Sequence, residues 1–155
     1  MKIGFNEAND RFCKDHSVMK DLEYCEKYGF DYIDIQSECL NRDLEAGKIT
    51  LEEMGEWFKN HHLKMLSYNA LCFFNMKQTQ EEKDAVMAEL DEIIRRCDIL
   101  GCKMIVVVPS KDMKERGLTP TRKEIREDAV AVLKEMVKKC EPHGIKLSLE
   151  FCGEP

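Results

Sequence analysis

Short β-rich runs recur along the chain, each preceded by an amphipathic helical stretch and then a Gly or turn position. The instances are EKYGFDYIDIQ from Glu26, KNHHLKMLSYN from Lys59, DILGCKMIVVVP from Asp98 and EPHGIKLSLEF from Glu141. The opening run KIGFN supplies a further strand with no helix before it. Between the strands, Val18 to Tyr28, Thr50 to Asn60, Gln80 to Leu100 and Thr121 to Cys140 carry apolar residues at three- and four-residue spacing, which predicts four helices. Gly29, Gly101 and Gly144 stand where a helix needs a C-terminal stop, and Thr50 and Thr121 where it favours an N-cap. Glu53 and Glu124, each three residues after its threonine, complete two capping-box patterns.

Strands alternating with helices of this length predict βαβ units and a parallel sheet, either an open sheet or a barrel. Alternation within the strands separates the two, because a strand covered by helices on both faces is apolar on both. Here Ile3 and Phe5 oppose Lys2, Gly4 and Asn6, and Ile33 and Ile35 oppose Asp34 and Gln36. Leu66 and Tyr68 likewise oppose Ser67 and Asn69, and Leu147, Leu149 and Phe151 oppose Lys146, Ser148 and Glu150. The fourth run, Met104 to Pro109, is apolar on both sides. In a barrel the apolar sides meet the helices and the polar sides gather Asn6, Asp34, Gln36, Asn69 and Glu150 towards the C-terminal mouth. The fold class expected is therefore α/β, a (β/α)8 TIM barrel. A complete barrel takes roughly 250 residues, so the 155 residues supply about five strands and four helices. Residues 1–155 are read as the N-terminal portion of a single barrel domain. The longest loops, Cys39 to Ile49 and Ser110 to Pro120, both follow a strand, on the side where barrels keep their chemistry.

Composition narrows the partners. A formal charge of −6 disfavours tracking a phosphate backbone, so no nucleic-acid partner is expected. No signal peptide or window of roughly 18 apolar residues is present, so neither a membrane partner nor any compartment but the cytoplasm is expected. The eight cysteines form no C-x-x-C pair and sit in apolar runs or on helix faces, which reads as reduced, structural thiols. Four histidines, His16, His61, His62 and His143, include no H-x-x-x-H pair, and no histidine chemistry is visible.

The segments FNEA at Phe5 to Ala8, DLEYCEKYGFDYIDI at Asp21 to Ile35, HH-K and NAL-FFN across His61 to Asn75, VVVP at Val106 to Pro109 and LEF-G-P at Leu149 to Pro155 run from end to end. In their order and spacing the chain resembles the inosose isomerases of inositol catabolism, within the sugar phosphate isomerase/epimerase group of the xylose-isomerase-like superfamily. The resemblance implies a metal-dependent isomerase or epimerase acting on a cyclic polyol ketone or related sugar. It makes Glu150 the first of four ligands to a divalent ion, Zn, Mn, Co or Mg, with an aspartate, a histidine and a second glutamate expected beyond Pro155. Removing a proton beside a carbonyl leaves a negative oxygen, and a bound divalent ion is the Lewis acid that stabilises it. The catalytic base is expected beyond Pro155 as well.

Each candidate has a competing role. Glu150 competes with a solvent-facing carboxylate at a strand end, and Asp34 with an ion pair to Lys2 or Lys64. Asn6, Glu7 and Asn69 are candidates for binding substrate hydroxyls or for ordinary strand-end hydrogen bonding. His61 and His62 precede the third strand, where a surface or capping role is expected, and Trp57 is expected to pack. Phe73 and Phe74 are a lid or packing for the next helix. A non-catalytic half-barrel serving as a binding or assembly fragment is the alternative from another class, and homo-oligomerisation stays open. An abasic-site endonuclease is disfavoured, because Gln36 and Asn69 stand where its zinc site needs histidines.

Overall fold

The computed structural model describes residues 1–151, so the end of the LEF-G-P segment, residues 152–155, lies outside the described residues. The elements run β1 (Gly4–Asn6), α1 (Val18–Lys27), β2 (Tyr32–Gln36), α2 (Ser37–Glu45), α3 (Leu51–Asn60), β3 (Lys64–Cys72), α4 (Gln80–Leu100), β4 (Met104–Val108), α5 (Arg122–Cys140) and β5 (Lys146–Leu149). Single 3-10 turns occupy Glu7–Asn9 and Glu141–His143. The strands are hydrogen-bonded in sequence order, β1-β2-β3-β4-β5, and β1 to β2 and β2 to β3 pair in parallel. Two compact units divide the chain: Met1–Asn69 with Arg95–Met104, and Ala70–Ile94 with the chain from Ile105 onward.

In the first unit Val18, Leu22 and Cys25 of α1 are buried, as are Ile33 and Ile35 of β2 and Met54 and Phe58 of α3. Each fully buried large aliphatic side chain contributes about 1.5–3 kcal/mol relative to exposure, so these stripes fix which face of each helix turns inward. The Thr50 and Glu53 capping box forms in both directions, with Glu53 N donating to Thr50 Oγ1 at 3.2 Å and Thr50 N to Glu53 Oε2 at 2.9 Å. Gly55 is a contact requirement. A Cβ there would lie 2.6 Å from the backbone oxygen of Ile99 in α4.

In the second unit Leu90 and Ile93 of α4, Ile105 and Val107 of β4, and Met136 and Cys140 of α5 are buried. Phe74 is buried as well, which makes it packing, while Phe73 beside it takes a left-handed φ of 58°. The Thr121 and Glu124 capping box opens α5 as expected. Gly29, Gly101 and Gly144 all have positive φ where helix stops were expected.

Three expectations change. There are five α-helices among the described residues, because Ser37–Glu45 is helical where a loop from Cys39 was expected. The helix is short and starts at Gln36 without a side-chain cap, so no capping signal marks it in the sequence. It is held by burying Cys39, Leu40 and Asp43. Secondly, Leu66 does not share the buried face of Tyr68. A bulge in β3 pairs Ile33 with Met65 and Asp34 with Ser67, skipping Leu66, which is 42% exposed while Met65 is buried. Thirdly, the apolar sides of the first and last strands are incompletely covered, with Ile3, Leu149 and Phe151 exposed. All seven cysteines among the described residues are free thiols, five of them buried. No helix among the described residues is long and apolar enough to cross a membrane.

Candidate functional site

Parallel pairing of β1, β2 and β3 aligns Asn6 with Asp34, Asp34 with Ser67 and Gln36 with Asn69. The side chains then form a polar net at the C-terminal ends of these strands. Ser67 Oγ donates to Asp34 Oδ1 at 2.5 Å, and Asn69 Nδ2 donates to Asp34 Oδ2 at 3.0 Å. Gln36 Nε2 donates to Asn6 Oδ1 at 3.3 Å, and that oxygen also accepts Ala8 N at 2.8 Å. The lysines weighed as partners of Asp34 are engaged elsewhere: Lys2 donates to the Tyr32 hydroxyl, and Lys64 to the carbonyls of Phe58 and His61. Both oxygens of Asp34 are thus oriented by neutral donors on the neighbouring strand.

One residue beyond Asn6 the chain turns inward. Glu7 opens the first 3-10 turn and is completely buried, its Oε2 accepting Gln36 N at 2.7 Å. The net and a second, interior cluster therefore meet at Gln36. Glu7 Oε1 lies 3.3 Å from His16 Nε2, and Asp21 Oδ2 of α1 lies 3.0 Å from the same nitrogen. Asp10 Oδ1 is 3.8 Å away. The other ring nitrogen, Nδ1, faces Arg42 Nη2 at 2.5 Å. A guanidinium has only donors, so Nδ1 is the accepting side of a neutral ring. Burial holds the His16 imidazolium below its usual pKa range. Burial, and then the charges of Asp21, Asp10 and Asp43, push the Glu7 carboxyl up to about 8 despite the bond from Gln36. Burial and the adjacent Asp10 also raise Asp21. Cys39, within ligand distance of Glu7 and His16, stays a thiol, pushed up to about 12 chiefly by burial.

His16 was invisible as chemistry in the sequence because its neighbours come from a 3-10 turn, two helices and a loop. No local spacing such as a histidine pair could mark it. His61 behaves as expected of a capping residue, stacking on Trp57 at 3.9 Å between centroids with Nδ1 2.8 Å from the Trp57 carbonyl.

Glu150 stands in the second unit, directly after β5, and is exposed. Its backbone N–H donates to Val107 O at 3.0 Å, so strand pairing with β4 continues through this position.

Comparison with known proteins decides the family, since the profile described as xylose isomerase-like TIM barrel matches residues 22–155. The chain belongs to the xylose isomerase-like TIM barrel family. Its relatives within that family include a Bacillus velezensis protein named inosose isomerase, 35% identical over all of this chain and 52% of the relative. A Bacillus licheniformis protein of the same name is 37% identical over all of this chain and 53% of the relative. A crystal structure of IolI protein with a bound zinc atom superposes with a TM-score of 0.86 at 35% identity, covering all of this chain and 53% of that one. The chain spans about half the length of the curated relatives it matches.

Proposed function

We propose that the protein is an isomerase of a cyclic polyol ketone, an inosose, with residues 1–155 forming the N-terminal portion of one barrel domain. The observation that carries this reading is the likeness along all of this chain, and about half of each relative, at 35–37% identity to four proteins named inosose isomerase. Zinc in the related IolI structure supports a metal-dependent reaction, with the ion here one of Zn, Mn, Co or Mg.

Glu150 fits a ligand role in its chemistry: an exposed carboxylate at a strand end offers the hard anionic oxygen that such ions take. Bound there, a divalent ion supplies Lewis-acid stabilisation of the oxygen that turns negative as a proton leaves the carbon beside the carbonyl. Asn6, Asp34 and Asn69 bind substrate hydroxyls, and Asp34 suits this because Ser67 and Asn69 fix both its oxygens before substrate arrives. Glu7 acts one step removed, holding the backbone of Gln36 and through it the Asn6 amide.

Nuclear magnetic resonance in deuterated water, following exchange at the carbon beside the inosose carbonyl, tests the reading on the natural protein. We expect metal-dependent exchange and turnover. In Glu150→Gln, metal affinity and turnover should fall together by on the order of 100-fold while the fold persists. Wild-type protein that turns over no inosose with any of the four metals would overturn the substrate, and undiminished turnover in Glu150→Gln would remove that residue from the site.

A further inference from the structure

Four buried atoms around His16 have no hydrogen-bond partner: Glu7 Oε1, Asp10 Oδ1, His16 Nε2 and Asp21 Oδ2. The side chains of Glu7, His16 and Asp21 are 0%, 1% and 5% exposed, so water does not satisfy them from outside. An orphaned buried polar group costs about 1–3 kcal/mol, more if charged, and three of these, on Asp10, His16 and Asp21, lie within 4.8 Å of one another, which calls for a common partner. The spacing identifies its kind. Ions bound at about 2.0–2.1 Å in a tetrahedron separate their ligands by about 3.3 Å. The three oxygens stand 3.3, 3.0 and 3.8 Å from His16 Nε2, and none meets hydrogen-bond geometry there.

The geometry points to a buried divalent-cation site, of the kind zinc occupies, with Asp10, His16 and Asp21 as its ligands. Two carboxylates and one imidazole form a nitrogen and oxygen set suited to zinc, and Asp10, the most exposed of them, marks the side of entry. The site lies wholly within the first unit and does not involve Glu150. It is independent of the isomerase reading.

Loading has a stated internal consequence. Nε2 can bind a cation only through its lone pair, so the ring proton must pass to Nδ1, and Arg42 must withdraw. A place is ready for it, since Arg42 Nε already lies 3.2 Å from Asp43 Oδ1. Arg42 therefore opposes the cation, both through its charge and through its hold on the tautomer.

The test is calorimetric titration of chelator-stripped protein with zinc alone, in buffers of different ionisation enthalpy, with cobalt absorption as a report on coordination geometry. We expect, beside any ion that depends on Glu150, one ion that binds with proton release and a tetrahedral cobalt spectrum and that is retained in Glu150→Gln, the background in which the following variants are read. His16→Asn and Asp10→Asn should each weaken binding at least tenfold, and Arg42→Ala should strengthen it severalfold. Circular dichroism of the stripped variants checks folding. Should His16→Asn fail to fold, the partly exposed Asp10→Asn decides alone, and unchanged affinity in it overturns the proposal. So does the absence of zinc binding, which would leave protons as the cluster's only occupants, or binding abolished by Glu150→Gln.

Discussion

Asp43 caps a helix to which it does not belong. Its Oδ2 accepts the backbone N–H of Val18, 25 residues earlier, at 2.9 Å. Ser17, the N-cap residue of that helix, makes no side-chain cap bond. The buried carboxylate of α2 thus supplies the acceptor and the negative charge that the start of α1 needs. Burial works against its charge, but Lys48 at 2.8 Å, the Val18 amide and Arg42 prevail and hold its carboxyl below the usual range.

Asp43→Ala should therefore cost more than an ordinary cap, about 2–3 kcal/mol, since α1 and α2 lose their shared anchor together. Asp43→Asn keeps an acceptor and should cost about half as much. Urea unfolding at neutral pH measures both. Equal losses in the two would mean that the charge, and not the acceptor, does the capping.

Glu26 makes a similar long-range join, with Oε2 accepting Leu63 N at 2.9 Å and Oε1 accepting His62 N at 3.3 Å. Burial raises its pKa, but those two amides and the His62 ring outweigh it, and the net shift is downward. A carboxyl depressed in the folded state contributes stability above its unfolded pKa of about 4.3, and that contribution disappears as pH falls through the folded value. Glu26→Gln should cost about 1 kcal/mol at pH 7, and the cost should shrink steadily as pH falls below about 4.3. A penalty independent of pH would show that shape, not charge, accounts for the join.

Gly55→Ala normally strengthens a helix interior by about 1 kcal/mol. Here the added methyl meets the Ile99 carbonyl oxygen at 2.6 Å. The sign should invert, to a loss of about 1–3 kcal/mol as α3 is pushed from α4. Thermal unfolding reads it directly, and a raised Tm would mean that α4 yields without cost.

Much of the architecture was legible because periodicity reports burial. The long stripes of α4 and α5, the two capping boxes and the glycine stops each rest on interactions within a few residues, and each appears where expected. What escaped the sequence is what depends on distant neighbours. Helix α2 has no cap of its own, and its buried Asp43 answers to Val18. His16 is chemically silent until folding sets Glu7 and Asp21 against it. Asp34 could be placed on the polar face by parity, but its partners Ser67 and Asn69 follow only from the register of β3.

The bulge at Leu66 bears on how this strand can change length. Met65 keeps the buried side of Ile33, and Ser67 keeps the polar side of Asp34, although they are two residues apart in the chain. Leu66 takes up the mismatch. Deleting a residue from a regular strand turns everything beyond it to the opposite face. Deleting Leu66 would instead join two stretches already in phase, leaving Ser67 and Asn69 turned towards Asp34. Leu66 is thus a position inside the paired stretch of β3 where the chain could have gained a residue without disturbing the carboxylate beside it.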